Sequence, residues 1–342
     1  MSKYAAQLEE TAAAMVAHGK GILAIDESLP TIKKRFDGIK IESTEEARRS
    51  YRDLLINAPG GSDFISGMIL FDETIRQSGL DGKPFPQSLI AQGIMPGIKV
   101  DAGARDLAGH PGEKVTEGLD GLRERLAEYR DLGARFAKWR AVITIGDGIP
   151  SQACIEANAH ALARYAALCQ EAGIVPMVEP ETLMDADNTI DTCYDVTERT
   201  LKTLFNELYR QGVTMEHTIL KVNMVISGKK CPQQAPVEEV ADQTVRCLLN
   251  SVPASIPGIV FLSGGQSSLL ATLHLNAMNA KYKNLPWPLS FSYGRALQED
   301  ALKTWGGKME NLDTARKVLL HREKCNSLAC KGEYSEAVEK AA

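Results

Sequence analysis

The chain has 342 residues, 44% hydrophobic and 24% charged, the balance of a globular protein with a sizeable core rather than of a disordered segment. A formal net charge of −5 gives no reason to expect nucleic acid or an anionic membrane as partner, so an anionic ligand must be drawn in by local clusters of Lys and Arg. The seven cysteines are odd in number and include no C-x-x-C, which fits reduced thiols better than a disulfide framework or a zinc site.

The first segment, up to Gly21, sets Glu9, Glu10 and Lys20 among short apolar stretches and reads as an amphipathic helix rather than a signal peptide. No apolar run of about 18 residues follows, so no membrane span and a cytoplasmic setting are expected. Short β-rich runs then recur along the chain: Gly21–Asp26, Phe64–Phe71, Ile94–Val100, Phe136–Ile145, Ile174–Glu181, Thr218–Val225, Ile259–Ser263 and Leu289–Tyr293. Helical periodicity fills the gaps, as where Leu122, Leu126, Tyr129 and Leu132 share one face. Ser43 followed by Glu46 predicts a capping box.

Strand and helix alternating about eight times implies a parallel sheet, closed as a barrel or doubly wound. The repeat runs without a linker, and polar residues stand at the C-terminal end of almost every strand, where a barrel gathers its active site. The expectation is therefore a single domain over 1–342. It is an α/β fold of the (β/α)8 TIM-barrel type, with the barrel at about 19–320, an extra N-terminal helix and a flexible C-terminal tail at about 323–342.

Strands buried on both faces should be nearly all apolar. Here Asp26, Lys99, Lys138/Arg140, Glu179/Glu181 and Lys221/Asn223 break that rule near strand ends, and alternation puts both members of each pair on one face. A single such charge usually lies in a solvated loop. Five strand ends together point to a cluster of facing cations and carboxylates, since each unpaired buried charge costs several kcal/mol. The six histidines have no metal-ligand spacing and no nucleotide-binding glycine motif is present, so no metal and no cofactor are expected.

The chemistry on offer is that of amines and carboxylates. A lysine attacks a carbonyl only as the neutral amine, about 0.04% of an ordinary lysine at pH 7. Desolvation beside a second ammonium raises that fraction and neighbouring carboxylates lower it; Lys138 and Lys221 are candidates for the pair. Two further segments look like phosphate cradles: Ser263-Gly264-Gly265-Gln266-Ser267, and Ser292-Tyr293-Gly294 followed by the Arg295 guanidinium.

At these residues the chain resembles the class I fructose-bisphosphate aldolases. The matching segments are GKGILAIDES, GIKVDAG, FAKWR, IVPMVEPE, TILKVNMV, FLSGGQS, SYGRAL and KTWGGK, spread in family order over roughly residues 19 to 308. The resemblance implies a lyase that reversibly cleaves fructose 1,6-bisphosphate to dihydroxyacetone phosphate and glyceraldehyde 3-phosphate, in glycolysis and gluconeogenesis, with the Calvin cycle as a further setting. It implies a Schiff base on Lys221, acid/base work by Glu179, and electrostatic help from Lys138 with Glu181 in the same cluster. Asp26 would take the proton of the C4 hydroxyl. Ser263, Gly264, Gly294 and Arg295 would hold the 1-phosphate; Ser28, Thr31, Arg35, Lys99 and Arg140 would hold the 6-phosphate. A homotetramer is implied as well.

Two departures stand out. Leu29-Pro30 replace a small, glycine-containing stretch, so a stiffer or differently placed 6-phosphate loop is expected. Animal members end in a tyrosine thought to help protonate the enamine, whereas this chain ends Glu339-Lys340-Ala341-Ala342 and its Tyr334 lies in no matching motif. That proton is then expected to come slowly, from Glu179 or water. The rivals are a transaldolase-like or keto-acid aldolase, a metal-dependent aldolase and a non-enzymatic scaffold.

Overall fold

A computed structural model describes residues 3–341; Met1, Ser2 and Ala342, at the ends of the expected domain, lie outside them. Its ten strands are β1 (Gly21–Ala24), β2 (Ile65–Leu70), β3 (Met95–Lys99), β4 (Gly103–Asp106), β5 (Lys114–Glu117), β6 (Phe136–Ile143), β7 (Val175–Thr182), β8 (Ile219–Val222), β9 (Ile259–Phe261) and β10 (Leu289–Tyr293). Eight of them close in the order β1-β10-β9-β8-β7-β6-β3-β2, and all the pairings are parallel. This is the expected (β/α)8 TIM barrel, with helices such as Gln152–Ala172, Ile190–Arg210 and Val237–Ser251 between successive strands.

The expected runs match the eight barrel strands, most of them trimmed at the ends. Sequence missed the antiparallel hairpin β4–β5, which intervenes between β3 and β6. It is short and half-exposed and carries no apolar alternation. Thr116 ties it to the barrel, its hydroxyl donating to the Arg140 carbonyl at 2.8 Å.

Small residues let the barrel close over large ones. A Cβ on Gly97 of β3 would lie 2.2 Å from the Phe136 ring, so only glycine leaves room there. A second apolar cluster joins Leu8, Ala12 and Met15 of the N-terminal helix (Ala5–Met15) to Ile22, Ile69, Val175, Ile219 and Val260 on the strands. That helix stoppers the N-terminal end of the barrel.

Two expectations need correction. The helix Glu45–Ile56 is capped by Thr44, which accepts from Ala47 N at 3.1 Å, and not by Ser43; Glu46 instead pairs with Arg49. The C-terminal tail does not begin at about 323, because the helix Leu312–Lys331 runs through that point. The polar residues that suggested a tail are buried in that helix: Asn326 accepts from Thr272 Oγ1 at 3.1 Å, and Glu323 is 1% exposed. Tyr334 is also buried, donating to Glu339 Oε2 at 2.5 Å.

Candidate active site

Along four strands the inward face changes from apolar to charged as it nears the C-terminal end. Phe136 gives way to Lys138 and Arg140, Met177 to Glu179 and Glu181, Ile219 to Lys221, and Ile22 and Ala24 to Asp26. Strand alternation alone brings these groups together. They open into a cavity of about 1070 Å³ at the barrel mouth, lined by nine Lys or Arg and six Asp or Glu side chains. An excess of cations there, in a chain of net charge −5, marks a site for an anion.

Lys138, Glu179 and Lys221 are 3%, 3% and 4% exposed. Lys221 Nζ stands 3.2 Å from Glu179 Oε1, and Lys138 Nζ stands 3.3 Å from Glu179 Oε2 and 2.7 Å from Asp26 Oδ2. The four groups form one alternating relay: amine, carboxylate, amine, carboxylate. Burial opposes ionisation of Asp26 and Glu179, but Lys138 and then Lys221 outweigh it and hold both carboxyls below their usual range. Burial likewise disfavours the Lys138 ammonium, and the carboxylates of Asp26 and Glu179 reverse that and raise it above the usual lysine range. Lys138 is therefore the permanent cation of the relay.

Glu181 belongs to a separate pair. Its Oε2 accepts from Arg140 Nε, and no bond joins it to Lys138 or Glu179 among the described residues. Lys99 reaches Asp101, with Nζ 2.6 Å from Oδ1, and also lines the cavity.

On one side of the mouth the chain leaves β9 through Ser263, then turns at Gly264 and Gly265, whose φ values are 55° and 85°. Ser267 caps the helix Ser268–Lys281, accepting from Leu270 N at 3.1 Å. Gln266 is pinned by His274, whose Nδ1 lies 2.6 Å from Gln266 Oε1. Beside it Gly294 opens the helix Arg295–Trp305, and Arg295 is exposed to the cavity. Backbone N–H groups at two helix N-termini and a guanidinium thus converge, an arrangement that suits a phosphate.

Opposite, Ser28 precedes the helix Leu29–Asp37, with Pro30 in its first turn, where proline's fixed φ and missing N–H cost nothing. The Leu29-Pro30 departure thus starts a helix. Ser28 Oγ and Thr31 Oγ1 are 3.1 Å apart. Arg35 forms an ion pair with Glu27, which Arg52 Nη1 also approaches at 2.7 Å and to which Gln298 Nε2 donates at 3.0 Å. Sequence missed this buried clamp, as it missed Asp101 and the Lys229–Asp185 pair, all in or beside the cavity wall. Tyr334 is not among the residues that line it.

An amine held among carboxylates at the mouth of a parallel barrel is the equipment of an enzyme that works on carbonyls by covalent attachment. Residues 7–342 match the protein family described as Fructose-bisphosphate aldolase class-I. The chain is 64% identical over 329 residues to a probable fructose-bisphosphate aldolase class 1 of Xanthomonas campestris, across 96% of this chain and 98% of that one. It is 52% identical over 337 residues to the fructose-bisphosphate aldolase of Dictyostelium discoideum, across 98% and 94% of the two. A solved structure of fructose-bisphosphate aldolase from Plasmodium falciparum, in complex with TRAP and a small molecule inhibitor, superposes with a TM-score of 0.96 at 49% identity, covering 98% of this chain and 97% of that one. The chain belongs to the class I fructose-bisphosphate aldolase family.

Proposed function

We propose that the chain cleaves fructose 1,6-bisphosphate reversibly, with Lys221 as the residue that forms the Schiff base. The observation that carries this reading is the 3.2 Å approach of the buried Lys221 Nζ to Glu179 Oε1, within a relay that ends at Asp26.

In the forward direction Lys221 adds to the C2 ketone, and Glu179 carries protons as the carbinolamine loses water. The C3–C4 bond then breaks as Asp26 takes the proton of the C4 hydroxyl, and its electrons flow into the iminium to leave an enamine. Lys138, held as an ammonium by its two carboxylates, balances the charge that gathers on them. Glyceraldehyde 3-phosphate departs, Glu179 or water protonates C3, and hydrolysis returns Lys221 and dihydroxyacetone phosphate. Ser263, Gly264, Gly294 and Arg295 hold the 1-phosphate. Ser28, Thr31, Arg35 and Lys99 hold the 6-phosphate, while Arg140 and Glu181 serve as a paired wall beside it.

The test is borohydride reduction in the presence of dihydroxyacetone phosphate, followed by peptide mapping. A single adduct on Lys221 is expected; an unlabelled Lys221 would sink the assignment. Homotetrameric assembly and cytoplasmic location complete the reading. The location is supported by relatives that include a cytosolic isozyme of Arabidopsis thaliana, 52% identical over 333 residues, and by the absence of any described helix long and apolar enough to cross a membrane. Light scattering on the purified chain tests the tetramer.

A further inference from the structure

Residues 228–230 lie against 184–188. Lys229 N donates to Met184 O at 2.7 Å, Gly228 N to Asn188 O at 2.9 Å, and Lys230 N to Ala186 O at 3.0 Å. The approach is so close that a Cβ on Gly228 would sit 2.3 Å from Ala186 O. This fixes the base of Lys229 at the cavity rim, where its Nζ lies 2.9 Å from Asp185 Oδ1. From there the side chain crosses to the Gly264–Gly265 turn. A Cβ on Gly265 would lie 2.6 Å from Lys229 Nζ and 2.8 Å from Arg295 Nη2, so both cations close over the same glycine.

Two cationic tips, one from the loop at Lys229 and one from the first turn of the helix Arg295–Trp305, meeting over the half-buried Gly264–Gly265 turn, repel each other unless an anion joins them. Asp185 answers only one of them. Its side chain is 68% exposed and that of Lys229 is 40% exposed, so the pair is solvated, weak and readily exchanged.

We propose that Lys229 is a further substrate-binding residue, exchanging Asp185 for the 1-phosphate when that group settles on the Gly264–Gly265 turn beside Arg295. This rests on the assignment of that turn to the 1-phosphate given under Proposed function. Asp185 keeps the arm extended across the mouth until the phosphate arrives.

Kinetics in the condensation direction separate this role from a structural one, because dihydroxyacetone phosphate carries the 1-phosphate and glyceraldehyde 3-phosphate carries the other. Lys229→Met is expected to raise KM for dihydroxyacetone phosphate about fivefold, the effect of one solvated charge contact. KM for glyceraldehyde 3-phosphate and kcat should stay within about twofold, and Lys229→Arg should restore most of the loss. An unchanged KM for dihydroxyacetone phosphate, or a parallel rise for both substrates, overturns the proposal. Borohydride trapping keeps the two levels apart. If Lys221 is labelled in both forms at the same half-saturating dihydroxyacetone phosphate, the role of Lys229 falls and the aldol reading stands. If the unmodified chain is not labelled at Lys221, the aldol reading falls, and this proposal with it.

Discussion

Glu179 is shared between two amines: its Oε1 lies 3.2 Å from Lys221 Nζ and its Oε2 lies 3.3 Å from Lys138 Nζ. On the proposed mechanism, a carboxylate so placed passes a proton to or from a Lys221 adduct while Lys138 keeps its negative charge in check. Glu179→Gln should preserve the shape of the cavity but remove the proton carrier, lowering kcat about 10²- to 10⁴-fold. Steady-state cleavage assays check this, and a drop below about tenfold would assign proton transfer to another group.

The same carboxyl sets a pH dependence of stability. Glu179 is held below its usual value of 4.5 and Asp26 below 3.8, so near those values the unfolded chain binds more protons than the native one. Their contribution is fully present above those unfolded values and is lost as pH falls through the lower native ones. Thermal midpoints of Asp26→Asn and of the unmodified chain should therefore converge on acidification below about pH 4.

Arg140 and Glu181 offer a contrast between structure and binding. Arg140→Ala leaves the Glu181 carboxylate, 8% exposed, without its partner. Removing one member of a fully buried pair costs about 3–5 kcal/mol. The Arg140 side chain is 42% exposed, so solvent screens the pair and a loss of about 1–2 kcal/mol is expected. Denaturant unfolding measures that loss. A rise in KM for glyceraldehyde 3-phosphate in the same variant would add a phosphate contact to the structural role.

His274 pins Gln266 in the glycine turn from a site that is 2% exposed, and its Nε2 has no partner. Burial pushes the imidazole down to about 4 from its usual 6.5. The unfolded chain takes up this proton first, so native stability drops as pH falls from about 6.5 to about 4. His274→Gln keeps a donor for Gln266 and cannot titrate. Its thermal midpoint should gain on that of the unmodified chain over this range, and parallel curves would deny the effect.

Much of the buried relay was legible because two-residue alternation is rigid. Once Phe136–Ile143, Val175–Thr182 and Ile219–Val222 are strands, Lys138, Glu179 and Lys221 have no other face to occupy. Alternation says nothing of partners, which is why Glu181 was grouped with Lys138 when it pairs with Arg140. Groups on loops were harder still. Asp185 and Lys229 lie 44 residues apart on connections with no periodicity, and their meeting depends on backbone bonds that no local pattern announces. Arg52 was hidden for a related reason: a charged residue in a helix reads as solvated until a partner from another element, here Glu27, reaches it. The C-terminal helix misled in the same way, its Asn326 and Glu323 being polar yet buried.

The apolar stopper made by Leu8, Ala12 and Met15 closes one end of the barrel and leaves the charged mouth at the other as its door. Traffic in both directions must use the same opening. On the proposed chemistry the half bonded to Lys221 stays until hydrolysis, so departure is sequential: the untethered piece clears the doorway before the tethered piece is set free. In synthesis the queue reverses, the ketone entering first and the aldehyde following.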